Sequence, residues 1–133
     1  MVLPTPLTIF PLSGIGEISI GDDLIGILGD AFDTMGGPLL GDVLVVTHKV
    51  VSKAEGAVRD VPPGTSHKLI VEDEAAQIIR RRGDLVITRT HHGFICANAG
   101  VDQSNAAPNT VVLLPRDPDA SAHRISTRLQ LRF

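Results

Sequence analysis

The sequence predicts an α+β domain, a mixed sheet with packed helices, with residues 1–133 forming a single unit. Three observations carry this expectation. Apolar residues recur at helical spacing in DDLIGILGDAFDTM and again in DPDASAHRISTRLQLRF. VLVV, LVITRT, FICAN and NTVVLLP read as short strands rich in β-branched residues. The middle strands follow one another at hairpin distance, so the order is β-α-β-α-β-β-β-α and not a clean doubly wound repeat.

Taken in order, Leu7–Leu12 is apolar and reads as an edge strand. SGIGEISIGDD is a loop, and Asp22 or Asp23 can cap the helix that follows. On that helix Leu24, Leu28, Phe32 and Met35 share one face. Val43–Val46 reads as a buried strand, with Thr47, His48, Lys49, Ser52, Lys53 and Glu55 as a polar set at its carboxyl end. RDVPPGTSH is a turn, because Pro62 and Pro63 bar helix and central strand alike. EDEAAQIIRRRGD reads as the second helix, acidic at its start and basic at its end as the helix dipole favours, and stopped by Gly83. LVITRT and FICAN are strands joined by the HHG turn, and NTVVLLP is a strand stopped by Pro115. The last helix opens on acidic caps with Pro118 in its first turn, and puts Ala122, Ile125 and Leu129 on one face.

Composition narrows the function. The 133 residues are 43% hydrophobic, enough for one core, with a formal net charge of -3. No basic excess points to nucleic acid or an anionic membrane surface, and the absence of Trp and Tyr argues against a base-stacking platform. No run is apolar for the roughly 18–20 residues of a membrane span, and MVLPTPLTIF lacks the basic start of a signal peptide. A single cysteine permits no internal disulfide. The expectation is a cytoplasmic protein that contacts neither nucleic acid nor membrane.

Several polar groups carry candidate chemistry. Lys53, with Ser52 and Glu55 nearby, suits a phosphate, although on the residues alone a solvated loop with an ordinary ion pair is the simpler reading. There is no GxxxxGK[ST], and GIGEISIG lacks the third glycine of a dinucleotide fingerprint. His91, His92 and Cys96 match no structural zinc spacing and lack a fourth ligand. Cys96 as a nucleophile needs a base and a lowered pKa, and a lone cysteine in a strand more often fills a core. Asp102, flanked by Asn98 and Asn105, is oxygen-rich chemistry that suits magnesium or manganese, and it also suits an Asx turn. The residues alone leave both open.

Three blocks in one order, VLVVTHKVVSKAEG, HHGFICANAGVDQSN and LLPRDPDASAHRI, resemble the coenzyme F-420:gamma-glutamyl ligase family, as does the opening FPLSGIGEISIGDDL. The likeness runs over nearly the whole chain. It implies GTP- and divalent-cation-dependent addition of L-glutamate to the F-420 deazaflavin precursor, through an acyl phosphate on the precursor's carboxylate. By the same resemblance Ile15, Gly16, Glu17 and Ile18 lie along the guanine nucleotide, His48 stands where the family usually has a nucleotide-contacting serine, and Lys53 and Asn105 contact the nucleotide. Asp102 is the metal ligand, with manganese or magnesium expected and potassium as a further ion. The catalytic residue itself is not identified. Partners implied are the F-420 precursor, L-glutamate and a second copy in a homodimer.

The sequence also departs from the family pattern. Residues 60–73 are shorter than in many members, and RTHHG replaces an acid-arginine-histidine order. The family's later half carries a further Asp-Thr motif and an arginine- and glycine-rich block that are not found before Phe133. The expectation is that such a chain needs a separate carboxyl-terminal half for ligase activity. The alternative is a non-catalytic nucleotide- or cofactor-binding module, or a structural remnant of the same family.

Overall fold

A computed structural model of the protein describes residues 6–104 and 108–133. Two amphipathic helices are fixed by their caps. Helix α1 (Leu24–Asp33) starts at Asp23, whose carboxylate accepts from the Gly26 amide at 3.1 Å. A Cβ at Gly26 would lie 2.5 Å from that carboxylate, so the glycine allows the cap to close. At the other end of the described chain, Asp117 accepts from the Ala120 amide at 2.9 Å, and Pro118 opens the first turn of the last helix, Pro118–Gln130. That helix is α4 in chain order.

Between them lie α2 (His48–Ala54), β1 (Val58–Asp60), α3 (Lys68–Glu74), β2 (Ala75–Arg82), β3 (Leu85–Thr90), β4 (Ile95–Ala97), a single 3₁₀ turn (Asn98–Gly100) and β5 (Thr110–Val112). Leu24 and Leu28 of α1, Val51 of α2, and Ile125 and Leu129 of α4 bury together with Ile18. Ala122 is not part of this core, and Ser121 takes the buried place beside it. Met35 lies beyond the end of α1 and is exposed. A second, smaller cluster gathers Val71 of α3, Val86 of β3 and Ala99. No helix of the described residues is long and apolar enough to cross a membrane.

The α+β class holds, but the sheet is not one mixed layer. Among the described residues the strands form two antiparallel sheets, β1–β5 and β2–β3–β4. The expected helix over EDEAAQIIRRRGD is split. Its first residues end α3, and Ala75–Arg82 pairs with β3 across a turn at Gly83, where φ is 58°. Charge order along the segment favours a helix locally, but the neighbouring strand LVITRT supplies a ladder along its whole length, interrupted by register shifts at Ala75/Gln77 and Ile78/Arg80, and tertiary pairing outweighs propensity. Arg81 still meets Glu72, at 2.7 Å, now across the helix–strand junction.

Two expected strands are absent. Leu7–Leu12 and Val43–Val46 have strand composition but no ladder partner among the described residues. Leu44 and Val46 pack on the first core, whereas Val43 and Val45 are each 85% exposed. The polar set that was expected to trail this strand instead forms α2.

The segment CANAG makes the sharpest bend. Asn98, Ala99 and Gly100 take φ of 50°, 53° and 73°, three left-handed residues in succession. Fully buried Thr88 holds this bend, accepting from the Ala99 amide at 2.9 Å and donating to the Cys96 carbonyl at 3.2 Å. The Asn98 side chain accepts from the Val86 amide at 3.1 Å. The chain then leaves along β5, where Asp102 and Val112 exchange both backbone bonds, at 2.9 and 2.8 Å.

A Cβ at Gly100 would lie 2.7 Å from Leu114 Cγ, in a conformation that alanine already resists. Gly100→Ala is expected to lower stability by about 2 kcal/mol or more. Urea denaturation checks this, and an unchanged midpoint would show that the bend does not hold the fold.

Candidate functional site

Helix α2 packs one face into the core through Val51 and fully buried Ser52, whose hydroxyl has no partner among the described residues. Lys49 and Lys53, one turn apart, therefore project together on a neighbouring face. Lys53 ion-pairs with Glu17, and Lys49 ion-pairs with Asp102. Lys49 Nζ also donates to Ser104 Oγ at 2.9 Å, while the Ser104 amide and hydroxyl both donate to Asp102 Oδ1 at 2.7 Å. Glu17–Lys53 and Lys49–Asp102, the latter closed by Ser104, thus lie one turn apart as a row of two ion pairs.

Each end of the row is pinned by packing. Ile18 is buried in the core and Ile15 packs partly buried against it, which leaves Gly16 and Glu17 exposed above α2. The Ile18 side chain is therefore not available to a ligand. At the other end the paired backbone bonds to Val112 fix Asp102. Burial pushes the Asp102 carboxyl up, but the Lys49 ammonium and the Ser104 hydroxyl and amide more than offset it and hold the group at about 2. The carboxylate is therefore charged throughout the physiological range.

His48 opens α2 and is exposed. Asn105 lies outside the described residues. The sequence places Lys49 in the polar set after Val46 but marks neither it nor Ser104 as a site residue. The signal for Lys49 was present in its spacing of four from Lys53, but it has meaning only once HKVVSKA is a helix.

Among the described residues, no three His, Cys, Asp or Glu side chains come together as a metal set. Asp102 stands as a single carboxylate with an ammonium already on it. The residues present do not make a divalent-cation site by themselves, since magnesium or manganese needs further oxygens from phosphate, water or other protein groups. What the row offers directly is two ammonium groups one turn apart, each held in place by a carboxylate.

Comparison with known proteins gives a concordant result. The sequence model described as F420-0:Gamma-glutamyl ligase matches residues 14–133. The chain is 38% identical to the coenzyme F420:L-glutamate ligase of Methanopyrus kandleri, over 96% of this chain and 55% of that protein. It is 34% identical to the ligase of the same name from Methanothermobacter thermautotrophicus, over 93% of this chain and 56% of that protein. For Natronomonas pharaonis the identity is 35%, over 89% of this chain and 53% of the relative. The chain spans about half the length of the curated relatives it matches.

The lowered carboxyl of Asp102 has a consequence for stability. A carboxylate held below its ordinary value of 3.8 stabilises the fold above that value, and the contribution is lost as pH falls toward about 2. With partial solvent screening it amounts to about 1–2 kcal/mol. Asp102→Asn is expected to be less stable than the wild type by this amount at pH 6, with the difference closing between pH 4 and pH 2. Urea midpoints across that range provide the check, and a gap that persists unchanged at the acid end would place the effect elsewhere.

Proposed function

The chain belongs to the F420-0:Gamma-glutamyl ligase family, and from that premise we propose that it supplies the nucleotide-handling part of a GTP- and divalent-cation-dependent addition of L-glutamate to the F420 precursor. The observation that carries this reading is the pair Lys49 and Lys53, one turn apart and each matched to a carboxylate. Two ammonium groups at that spacing can turn from Asp102 and Glu17 to the oxygens of a nucleotide's phosphates, where they would neutralise charge during phosphoryl transfer. In that transfer a precursor carboxylate oxygen bonds to the γ-phosphorus as the bond to the β-phosphate oxygen breaks, giving an acyl phosphate and GDP. The glutamate amine then attacks the acyl carbon, phosphate leaves, and the amine's proton passes to solvent.

Were manganese or magnesium bound with the phosphates, Asp102 would be its one carboxylate from the described residues, Lys49 would turn to the nucleotide, and the ion would supply further charge neutralisation at the phosphate oxygens. Gly16 and the backbone of Ile18 line the nucleotide's path, and His48 in its exposed position can donate to a phosphate. Asn105 and a potassium ion complete the set on the resemblance alone.

The exposed apolar surface supports completion by further polypeptide. Ile9, Phe10, Leu40, Val43 and Val45 are all at least 70% exposed, and unpaired segments with an apolar outer face invite a covering neighbour. We assign this cover to the polypeptide that makes up the rest of the relatives' length, in a cytoplasmic assembly that is a homodimer. Because one carboxylate holds a cation poorly, the chain alone binds nucleotide without turning it over.

Calorimetric titration with GTP and manganese is expected to show binding that Lys49→Ala and Lys53→Ala each weaken by about tenfold or more. Asp102→Ala is expected to weaken the manganese dependence. Glutamate-dependent GTP hydrolysis is expected only after a separately produced carboxyl-terminal half of a relative is added. Absence of GTP binding at millimolar nucleotide, or binding indifferent to all three substitutions, would overturn the reading.

A further inference from the structure

A cavity of about 300 Å³ lies where α2 gives way to β1 and where β5 ends, lined by Glu74, His91, His92, Leu113, Leu114 and Arg116 among others. It is a different place from the lysine row, yet it shares a strand with it. Leu113 follows Val112, the residue whose backbone holds Asp102, and the Leu113 amide donates to the Ala57 carbonyl at 2.9 Å.

His92 fastens this cavity. Its Nε2 lies 2.9 Å from the Pro115 carbonyl oxygen and 3.1 Å from that of Arg116. Both partners can only accept, so Nε2 carries the proton, and in the neutral ring Nδ1 is a lone pair. That Nδ1 is closed off from solvent and has no partner among the described residues. The ring stacks on Phe94 at an interplanar angle of 20°, which fixes its plane. The two carbonyl contacts also hold the backbone of Arg116, whose guanidinium makes no ion pair among the described residues. Glu74 on the opposite side is only loosely matched, by Arg59 at 3.6 Å.

An unmatched guanidinium, two imidazoles and a carboxylate around a cavity with two leucines in its wall form a set with a definite complement. Arg116 and His91 suit carboxylates, Glu74 suits an ammonium, and the leucines suit a short methylene chain. We propose that this cavity is the site of the free acidic amino acid, an α-amino dicarboxylate, linked to the lysine row through β5 and the Leu113–Ala57 hydrogen bond. This assignment rests on the ligase reading for its purpose, but the binding itself does not require GTP.

The test is a titration of the chain with L-glutamate, read by the imidazole resonances of His91 and His92 in NMR spectra. Saturable shifts in the millimolar range are expected. Glutarate, which lacks the ammonium, is expected to bind about tenfold more weakly, as is L-glutamate to Glu74→Gln. Arg116→Gln is expected to weaken L-glutamate by about tenfold or more, and Arg116→Lys, which keeps the charge without the planar fork, by less. Unmoved His resonances at tens of millimolar L-glutamate, or equal affinity for glutarate and glutamate, would overturn the proposal. GTP binding by the same variants separates the two readings. Intact GTP binding without a glutamate response removes the cavity assignment alone, whereas a glutamate response without GTP binding supports the cavity and removes the nucleotide reading.

Discussion

The pair of backbone hydrogen bonds between Asp102 and Val112 fixes the geometry on which the rest depends. Val111 and Val112 are essentially inaccessible to solvent, so β5 is held in the interior at these two residues. It pairs with β1 on one side and with Asp102 on the other, and α2 packs against it. A loop carboxylate is ordinarily mobile. Here it is carried on the side of a buried strand, and that strand's continuation, Leu113 and Leu114, becomes the wall of a second cavity.

The bend that delivers Asp102 to this position is costly and therefore informative. Three consecutive left-handed residues, two of them not glycine, persist only where surrounding contacts over-determine them. Thr88 supplies both a donor and an acceptor to the bend, Asn98 binds back to β3, and the missing Cβ of Gly100 admits Leu114. Strand β3 thus acts on the charged row at a distance, through the bend it holds. Once placed, Asp102 and Glu17 keep the lysines of α2 ordered and their charges matched. A free lysine one turn from another lysine would repel it and lose side-chain entropy on binding an anion. Pairing removes the repulsion and holds both ammonium groups in place.

How much of this was legible depended on how local each determinant is. Helices α1 and α4 are written in caps and apolar spacing within a dozen residues, and Asp23, Asp117 and Pro118 stand where the sequence places them. The hairpin partners β3 and β4 were legible for the same reason. Strand β2 was not, because the acidic-to-basic order of EDEAAQIIRRRGD is a true local preference that a non-local ladder overrides. Helix α2 has seven residues, too few to show a period, and the β-branched run before it drew the reading toward a strand. That misreading also concealed Lys49. Its partnership with Asp102 joins segments far apart in sequence, and no spacing rule within either segment encodes it. The resemblance to a family named Lys53 and Asp102, but it did not show that each already has a partner of opposite charge.

The exposed faces follow from the same physics that makes the core. Leu44 and Val46 pack on α1, α2 and α4, so the backbone between them is held close to the protein while Val43 and Val45 face outward. A segment anchored by alternate residues is already in the register that a neighbouring strand would read, and its cost of ordering has been met by the core contacts. Leu7, Ile9 and Phe10 present a second apolar stretch with more than two thirds of each side chain in solvent. Surfaces of this kind on a domain with few charged residues are not stable against association. The lysine row lies on α2, directly after the Val43–Val46 segment, so whatever covers that segment also approaches the ammonium groups of Lys49 and Lys53. Cover and charge are therefore coupled: a polypeptide pairing alongside Val43–Val46 would lie next in sequence to the helix that carries both ion pairs.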